Sequence, residues 1–196
     1  MSKNGFLIGD RIYLREVRKS DVNENYYNWL ADTEVNQYLE TKYVPQSLEN
    51  ISSFVASMDG KREEILLAIC DIETETHIGN IKIGPINWLH RFADISLLIG
   101  DKNFWGKGYA TEAIGMVTDF AFLRINLLKV KAGCYSANEG SARAFEKVGF
   151  VREGLLNKLW VINGEYQDEI LLGYHIDDWR VSNRHFLKNI KPAWIK

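Results

Sequence analysis

The chain is poor in cysteine and histidine and has no long apolar run, and each shortage removes a class of protein. Its two cysteines, Cys70 and Cys134, lie in apolar strand-like runs without metal-ligand spacing. That excludes a cysteine-ligated metal module and leaves the expectation of two buried thiols in a reducing cytoplasm. His77, His90, His175 and His185 also lack metal spacing, so no metal is expected. No apolar stretch approaches the length that crosses a bilayer, and the opening Met-Ser-Lys-Asn-Gly has no signal-peptide pattern. A cytoplasmic protein with no membrane partner is expected. The net charge is -2 without a basic block, so no nucleic-acid partner is expected either. Repeats, low-complexity segments and linkers are missing, and 46% of the residues are hydrophobic. The chain therefore reads as one domain, 1–196, around one core.

What is present is concentrated in residues 103–112, Asn-Phe-Trp-Gly-Lys-Gly-Tyr-Ala-Thr-Glu. Gly106 and Gly108 separate an apolar run, Ala93–Ile99, from a stretch with helical period at Ala110, Ala113, Ile114, Val117 and Ala121. Strand, glycine loop, helix is the layout of a phosphate cradle: glycine lets backbone approach an anion, and a helix N-terminus offers free N–H groups and a positive dipole end. A nucleoside-triphosphate loop needs Lys and Ser or Thr after its last glycine, but here Lys107 lies between the glycines and Tyr109 follows. A dinucleotide fingerprint needs a third glycine where Thr111 stands. A pyrophosphate cradle of the coenzyme A kind remains, beside the plainer reading of a strand–loop–helix corner.

The pattern predicts strands at Ile12–Glu16, Ile65–Asp71, Ile78–Gly84, Ala93–Ile99 and Val130–Cys134. Two more strands flank the hairpin signal Asn163-Gly164. It predicts helices at Asp21–Leu30 with Ser20 or Asp21 as cap, Leu48–Asp59 capped by Ser47, and Ala110–Leu123. A short helix opened by Ser141 runs to Val148, and a terminal one covers Asp177–Leu187 before Pro192. The expected fold class is α/β in the broad sense: a mixed central sheet with helices on both faces.

A second segment, residues 129–150, carries an alternating strand, then Asn138, Ser141 and Gly149-Phe150. Together, Asn103-x-x-Gly106-x-Gly108 and Asn138-x-x-Ser141 through Gly149-Phe150 resemble the motifs of the GNAT superfamily of acetyl-CoA-dependent N-acetyltransferases. The longer run Phe104 to Ala113 and the closing Asn163-Gly164-Glu165-Tyr166-Gln167-Asp168 resemble its RimJ/RimL-like branch. The resemblance implies a GNAT fold with acetyl-CoA as co-substrate and no metal. The pantetheine arm would lie beside Leu97, Leu98 and Ile99, with a backbone N–H near Leu98 on the thioester carbonyl. Trp105, Gly106, Lys107, Gly108, Tyr109, Ala110 and Thr111 would surround the pyrophosphate, and Asn138 would bond the arm. Lys107 either adds charge to the phosphates or is a solvated loop lysine.

For catalysis the resemblance offers Asp94 as base and Ser141 as the group that steadies the leaving thiolate. Asp94 follows Ala93 in a strand expected to be buried, where a carboxylate needs a reason. Its alternative is a hydrogen bond to the loop Trp88–Arg91, and that of Ser141 is a helix cap. The chain departs from family habit at Phe145, where many members place a proton-donating Tyr. It departs again at Trp160, where RimL-type enzymes carry a carboxylate, and at Asn103, which replaces Gln or Arg. Trp29, Tyr38, Glu40 and Tyr43, with Glu165 and Asp168 on the hairpin, are the acceptor-side candidates, since acidic and aromatic groups hold cationic amines. Solvated surface residues are the plainer reading of each. The acceptor would be a small-molecule or peptide amine: a protein N-terminus, an aminosugar nucleotide or a polyamine. A homodimer stays open. The competing class is a catalytically silent acyl-CoA-binding sensor or scaffold.

Overall fold

The computed structural model describes residues 5–182 and 184–190. The first residues of the chain and Pro192 lie outside them. Eight strands form one sheet in the order β1-β2-β3-β4-β5-β6-β8-β7. They are β1 (Leu7–Ile8), β2 (Ile12–Glu16), β3 (Ile65–Asp71), β4 (His77–Asn87), β5 (Phe92–Ile99), β6 (Lys129–Tyr135), β7 (Val151–Ile162) and β8 (Glu165–His175). The helices are α1 (Glu24–Ala31), α2 (Leu48–Met58), α3 (Tyr109–Leu123), α4 (Glu139–Val148) and α5 (Ile176–Ser182). The expected mixed sheet with helices on both faces is the observed one.

Every neighbouring pair is antiparallel except β5–β6, which is parallel and holds for only three residue pairs, Phe92↔Lys129 to Asp94↔Lys131. Past Asp94, β5 continues with β4 and β6 continues with β8, so the two strands part and leave a wedge in mid-sheet. Alternation along β5 assigns its faces. Ala93, Ile95, Leu97 and Ile99 join the main core with α3, where Ala113, Ile114, Met116 and Val117 are fully or almost fully buried. Leu98 points the other way, into a smaller cluster with Tyr26, Trp29, Val35, Ile51 and Val55 from α1, α2 and the turn after α1. Each such aliphatic or aromatic side chain contributes about 1.5–3 kcal/mol on full burial.

Four boundaries differ from expectation, each for a local reason. Helix α1 starts at Glu24 because Asn23, not Ser20 or Asp21, caps it, accepting from the N–H groups of Asn25 and Tyr26. The Asp21 carboxylate is taken by Arg15, at 2.6 and 2.8 Å, and by the Arg18 N–H. Helix α4 is capped by Asn138, and Ser141 sits one turn in, donating its own N–H to the Asn138 side chain at 3.2 Å. Strand β4 runs on to Asn87 across a bulge between Ile83 and Ile86. The terminal helix stops at Ser182 rather than Leu187 because buried Asp119 draws the chain out of helical register. Its Oδ2 accepts from the N–H groups of Phe186 (2.6 Å) and Leu187 (3.1 Å).

Candidate active site

The wedge between β5 and β6 opens into a cleft of about 480 Å3. It is lined by Leu97, Leu98 and Ile99 on one side, Asn138, Ser141 and Ala144 on the other, and Gly106 through Thr111 without Lys107 at its end. Gly106 and Gly108 have φ of 70° and 86°, a left-handed conformation that side chains with a Cβ rarely take. Gly108 is the N-cap of α3 and supplies no side-chain cap, whereas Asn23, Ser47 and Asn138 cap α1, α2 and α4. The first N–H groups of α3 are therefore open to an anion. The residues present fit a pyrophosphate here.

The ladder decides which backbone groups face the wedge. Gly100 N–H donates to the Ile78 carbonyl at 2.9 Å, and the β4–β5 register is unbroken from Gly79↔Ile99 to Ile83↔Ile95. Hydrogen-bonded pairs alternate in antiparallel strands. Leu98 therefore turns its own N–H and C=O toward β4, and those of Leu97 and Ile99 face the wedge. The Ile99 carbonyl is taken by Trp105 Nε1 at 2.7 Å. The Leu97 N–H and C=O and the Ile99 N–H are left for an extended ligand arm. The donor near Leu98 is thus one of its flanking N–H groups.

Asp94 stands at the closed end of the wedge, on the face opposite Ala93 and Ile95. The burial expected for it is not found: its carboxylate is 38% exposed and pairs with Lys131 at 3.2 Å rather than with the 88–91 loop. Alternation is the reason, since only the odd residues of β5 face the main core. Glu169 of β8 lies over Gly133, with Oε1 in the space a Cβ there would fill. Burial raises the Glu169 pKa, the negative charge of Asp94 raises it further, and Lys131 lowers it in part. Burial also pushes the Cys134 thiol up to about 11, so it is no nucleophile. Phe145 is 1% exposed within the main core.

On the far side of residues 33–43 lies a second cleft of about 700 Å3, between that segment and the β7–β8 hairpin. It shares Gln37 and Tyr38 with the first, so the two meet there. Tyr38 Oη donates to the Ala137 carbonyl (3.0 Å) and Tyr43 Oη to that of Val161 (3.1 Å). Tyr135 Oη donates to Glu40 Oε1. Burial, followed by this carboxylate, raises the Tyr135 pKa well above the usual tyrosine value. Tyr135 rests against Trp160 (5.4 Å between ring centres) and Tyr38 (5.9 Å).

The structure thus brings together Leu98, Ile99, Trp105, Gly106, Gly108, Tyr109, Ala110, Thr111, Asn138 and Ser141 along the first cleft, with Tyr38 at its mouth. Lys107 is exposed beside it and contributes a carbonyl contact. Trp29 belongs to the smaller core, 5.0 Å from His77, and lines neither cleft. Asp168 Oδ1 accepts from the Lys158 N–H at 2.7 Å, within the irregular stretch of β7. Tyr135 and Glu169 were not anticipated. Their only sequence signal is position, on strands that end beside Asn138 and the hairpin. Among the described residues no cluster of His, Cys, Asp and Glu suits a metal ion, and no helix is long and apolar enough to cross a membrane.

Comparison with known proteins agrees with this geometry. Residues 11–151 match the family model described as an acetyltransferase (GNAT) domain. The probable N-acetyltransferase YjcK of Bacillus subtilis is 30% identical over 178 residues, 85% of this chain and 94% of that protein. A spermidine N(1)-acetyltransferase of Vibrio cholerae is 35% identical over 91 residues, 46% of this chain and 52% of that protein. The crystal structure of the V. cholerae spermidine N-acetyltransferase in complex with CoA and spermine superposes with a TM-score of 0.77 at 24% identity. It covers 87% of this chain and 98% of that one, a likeness of fold. The chain belongs to the GNAT acetyltransferase family and is an acetyl-CoA-dependent N-acyltransferase.

Proposed function

We propose that this GNAT enzyme acetylates a primary amine on a small cationic molecule of the polyamine class, by direct attack on the thioester. The observation that carries the reading is an acidic, aromatic cluster beside Tyr38, a residue that both clefts share. It comprises Glu40 bonded to Tyr135, the rings of Tyr38 and Trp160, and the carboxylates of Asp94 and Glu169. Carboxylates and ring faces attract ammonium groups. Spermidine acetyltransferases among the relatives support it.

Acetyl-CoA supplies the activated acyl group. The arm would lie against Leu97 and Ile99, and the pyrophosphate on the first N–H groups of α3 and on Gly106 and Gly108. The Leu97 or Ile99 N–H would meet the carbonyl oxygen as it gains charge; such fixed donors need no reorganisation. Asp94 would accept the amine proton, directly or through water. The Ser141 hydroxyl would steady the leaving thiolate, since Phe145 offers no proton. We place the enzyme in the RimJ/RimL-like branch on the Phe104–Ala113 run, and in the cytoplasm on its two free buried thiols.

A second acceptor class has its own support. Asn36, Gln37, Asn163 and Gln167 line the outer cleft, and their amides suit the hydroxyls of an aminosugar. Thiol release from acetyl-CoA, measured with spermidine, spermine, an aminosugar nucleotide and an N-terminal peptide, decides between them. Spermidine should give the highest kcat/KM. A higher value for another amine overturns the polyamine reading, and no release with any amine revives the silent acyl-CoA module.

A further inference from the structure

We propose that Arg11, far upstream of the glycine loop, belongs to the coenzyme A site, where it positions the loop and contacts the pyrophosphate. The inference rests on the acyl-CoA reading of the first cleft. It starts from a buried carboxylate. Glu112, in the first turn of α3, is 6% exposed, and its Oε1 accepts from the N–H groups of Asp10 (2.7 Å), Arg11 (2.8 Å) and Ile12 (3.3 Å). A negative charge at that place opposes an anion arriving at the same helix end.

Arg11 answers that charge and does more. Its Nε donates to Glu112 Oε2 at 2.9 Å. Its Nη1 donates at 2.7 Å to the carbonyl of Lys107, the residue between the two left-handed glycines. With that carbonyl held toward Arg11, the loop's orientation is fixed. The guanidinium lies 4.8 Å from the ring centre of Tyr109, whose hydroxyl is tied to Asp71 at 3.0 Å. Two edges of the guanidinium are thus committed. The third nitrogen, Nη2, has no acceptor among the described residues and lies 3.3 Å from where a Cβ on Gly108 would stand. The guanidinium is a planar fork of fixed donors whose geometry suits phosphate oxygens. Here its free corner is delivered to the backbone that cradles them.

The test compares donors that share the thioester and differ in phosphate. Arg11→Gln should raise KM for acetyl-CoA by at least about tenfold, with kcat nearly unchanged. KM for S-acetylpantetheine, which has no phosphate, should stay as in wild type. Arg11→Lys keeps the charge without the fork and should fall between. The penalty should persist with acetyl-CoA lacking only its 3′-phosphate; if it vanishes there, Arg11 reads that phosphate and the pyrophosphate assignment is overturned. Equal losses for both donors, or no loss in a folded variant, overturn the proposal and reduce Arg11 to a partner of Glu112. If wild type itself binds no acetyl-CoA by calorimetry, the acyl-CoA reading fails and this proposal with it.

Discussion

The inner cleft takes most of its lining from one stretch of chain, β5 to α4, with residues 34–39 at its mouth, whereas the outer cleft is assembled from distant segments alone. The inner one needs three things: two left-handed glycines, an uncapped helix and a pair of strands that part. All three are properties of local sequence and of a single register. The outer one needs Tyr38, Tyr43 and Glu40 to meet Tyr135, Val161 and Ala137 across the sheet. Backbone can hold a cofactor common to a family, and side chains can change the acceptor without disturbing it.

The largest expected effect tests whether turnover depends on the side-chain half. An acceptor amine is mostly protonated near neutral pH, and losing a general base costs about 10²–10⁴ in rate. Asp94→Asn should lower kcat by that order, least at high pH where the amine deprotonates unaided, and leave acetyl-CoA affinity unchanged. The same variant removes the charge that raises Glu169, so the Glu169 carboxyl, followed by NMR titration, should move down toward the usual glutamate value. Wild-type turnover across pH would make Asp94 a partner of Lys131 only.

The next effect asks how the acceptor wall is moored. The segment before α1 is tied to β2 by Arg15 and Asp21, whose side chains are 10% and 8% exposed. Burial alone would raise the Asp21 pKa. The Arg15 guanidinium, the Arg18 N–H and His77 outweigh it and leave the pKa below its ordinary 3.8. A lowered carboxylate adds stability above its unfolded value, which is lost as pH falls through the native one. Asp21→Asn leaves Arg15 buried and unpaired and should cost about 3–5 kcal/mol at pH 7 by denaturant unfolding. The gap between variant and wild type should narrow below about pH 4, near the unfolded aspartate value. A gap independent of pH would mean that the carboxylate's charge is not what anchors the segment.

Legibility follows the same division. Strand β3, helices α2 and α3, and the glycine loop were readable because periodicity, caps and left-handed glycines are local signals. The start of α1 is ambiguous in the sequence because Ser20, Asp21 and Asn23 are all good caps, and only the fold shows Arg15 claiming Asp21. Asp94 was expected to be buried because an apolar strand does not reveal which of its faces meets the core. Arg11, Tyr135 and Glu169 reach the site by strand order, β2 against α3 and β8 against β6, which the sequence does not state.

A smaller effect probes the backbone half. Gly108→Val forces a β-branched residue to φ of 86° and places a Cβ 3.3 Å from Arg11 Nη2. The dissociation constant for acetyl-CoA should rise at least about tenfold, or roughly 1.4 kcal/mol. Calorimetry on a folded variant with unchanged affinity would remove the pyrophosphate from this loop.

The smallest effect falls on Asn138, an inner-cleft residue that uses its side chain, and there the comparison can be sharpened. Asn138 has two tasks at once: Oδ1 accepts the Ser141 N–H as the cap of α4, and the amide also lines the cleft. Asn138→Ala therefore confounds two losses, about 1 kcal/mol of capping and about 0.5–1.5 kcal/mol for a bond to the arm. Asn138→Asp separates them, because a carboxylate still caps the helix but offers no N–H to a pantetheine carbonyl. It should keep the wild-type melting temperature and weaken acetyl-CoA binding about two- to tenfold, the range of one net hydrogen bond. A ligand with the nucleotide phosphates but no pantetheine should bind Asn138→Asp as it binds wild type. Equal weakening for that ligand would assign the loss to added negative charge near the phosphates. Unchanged acetyl-CoA binding would leave Asn138 as a helix cap alone.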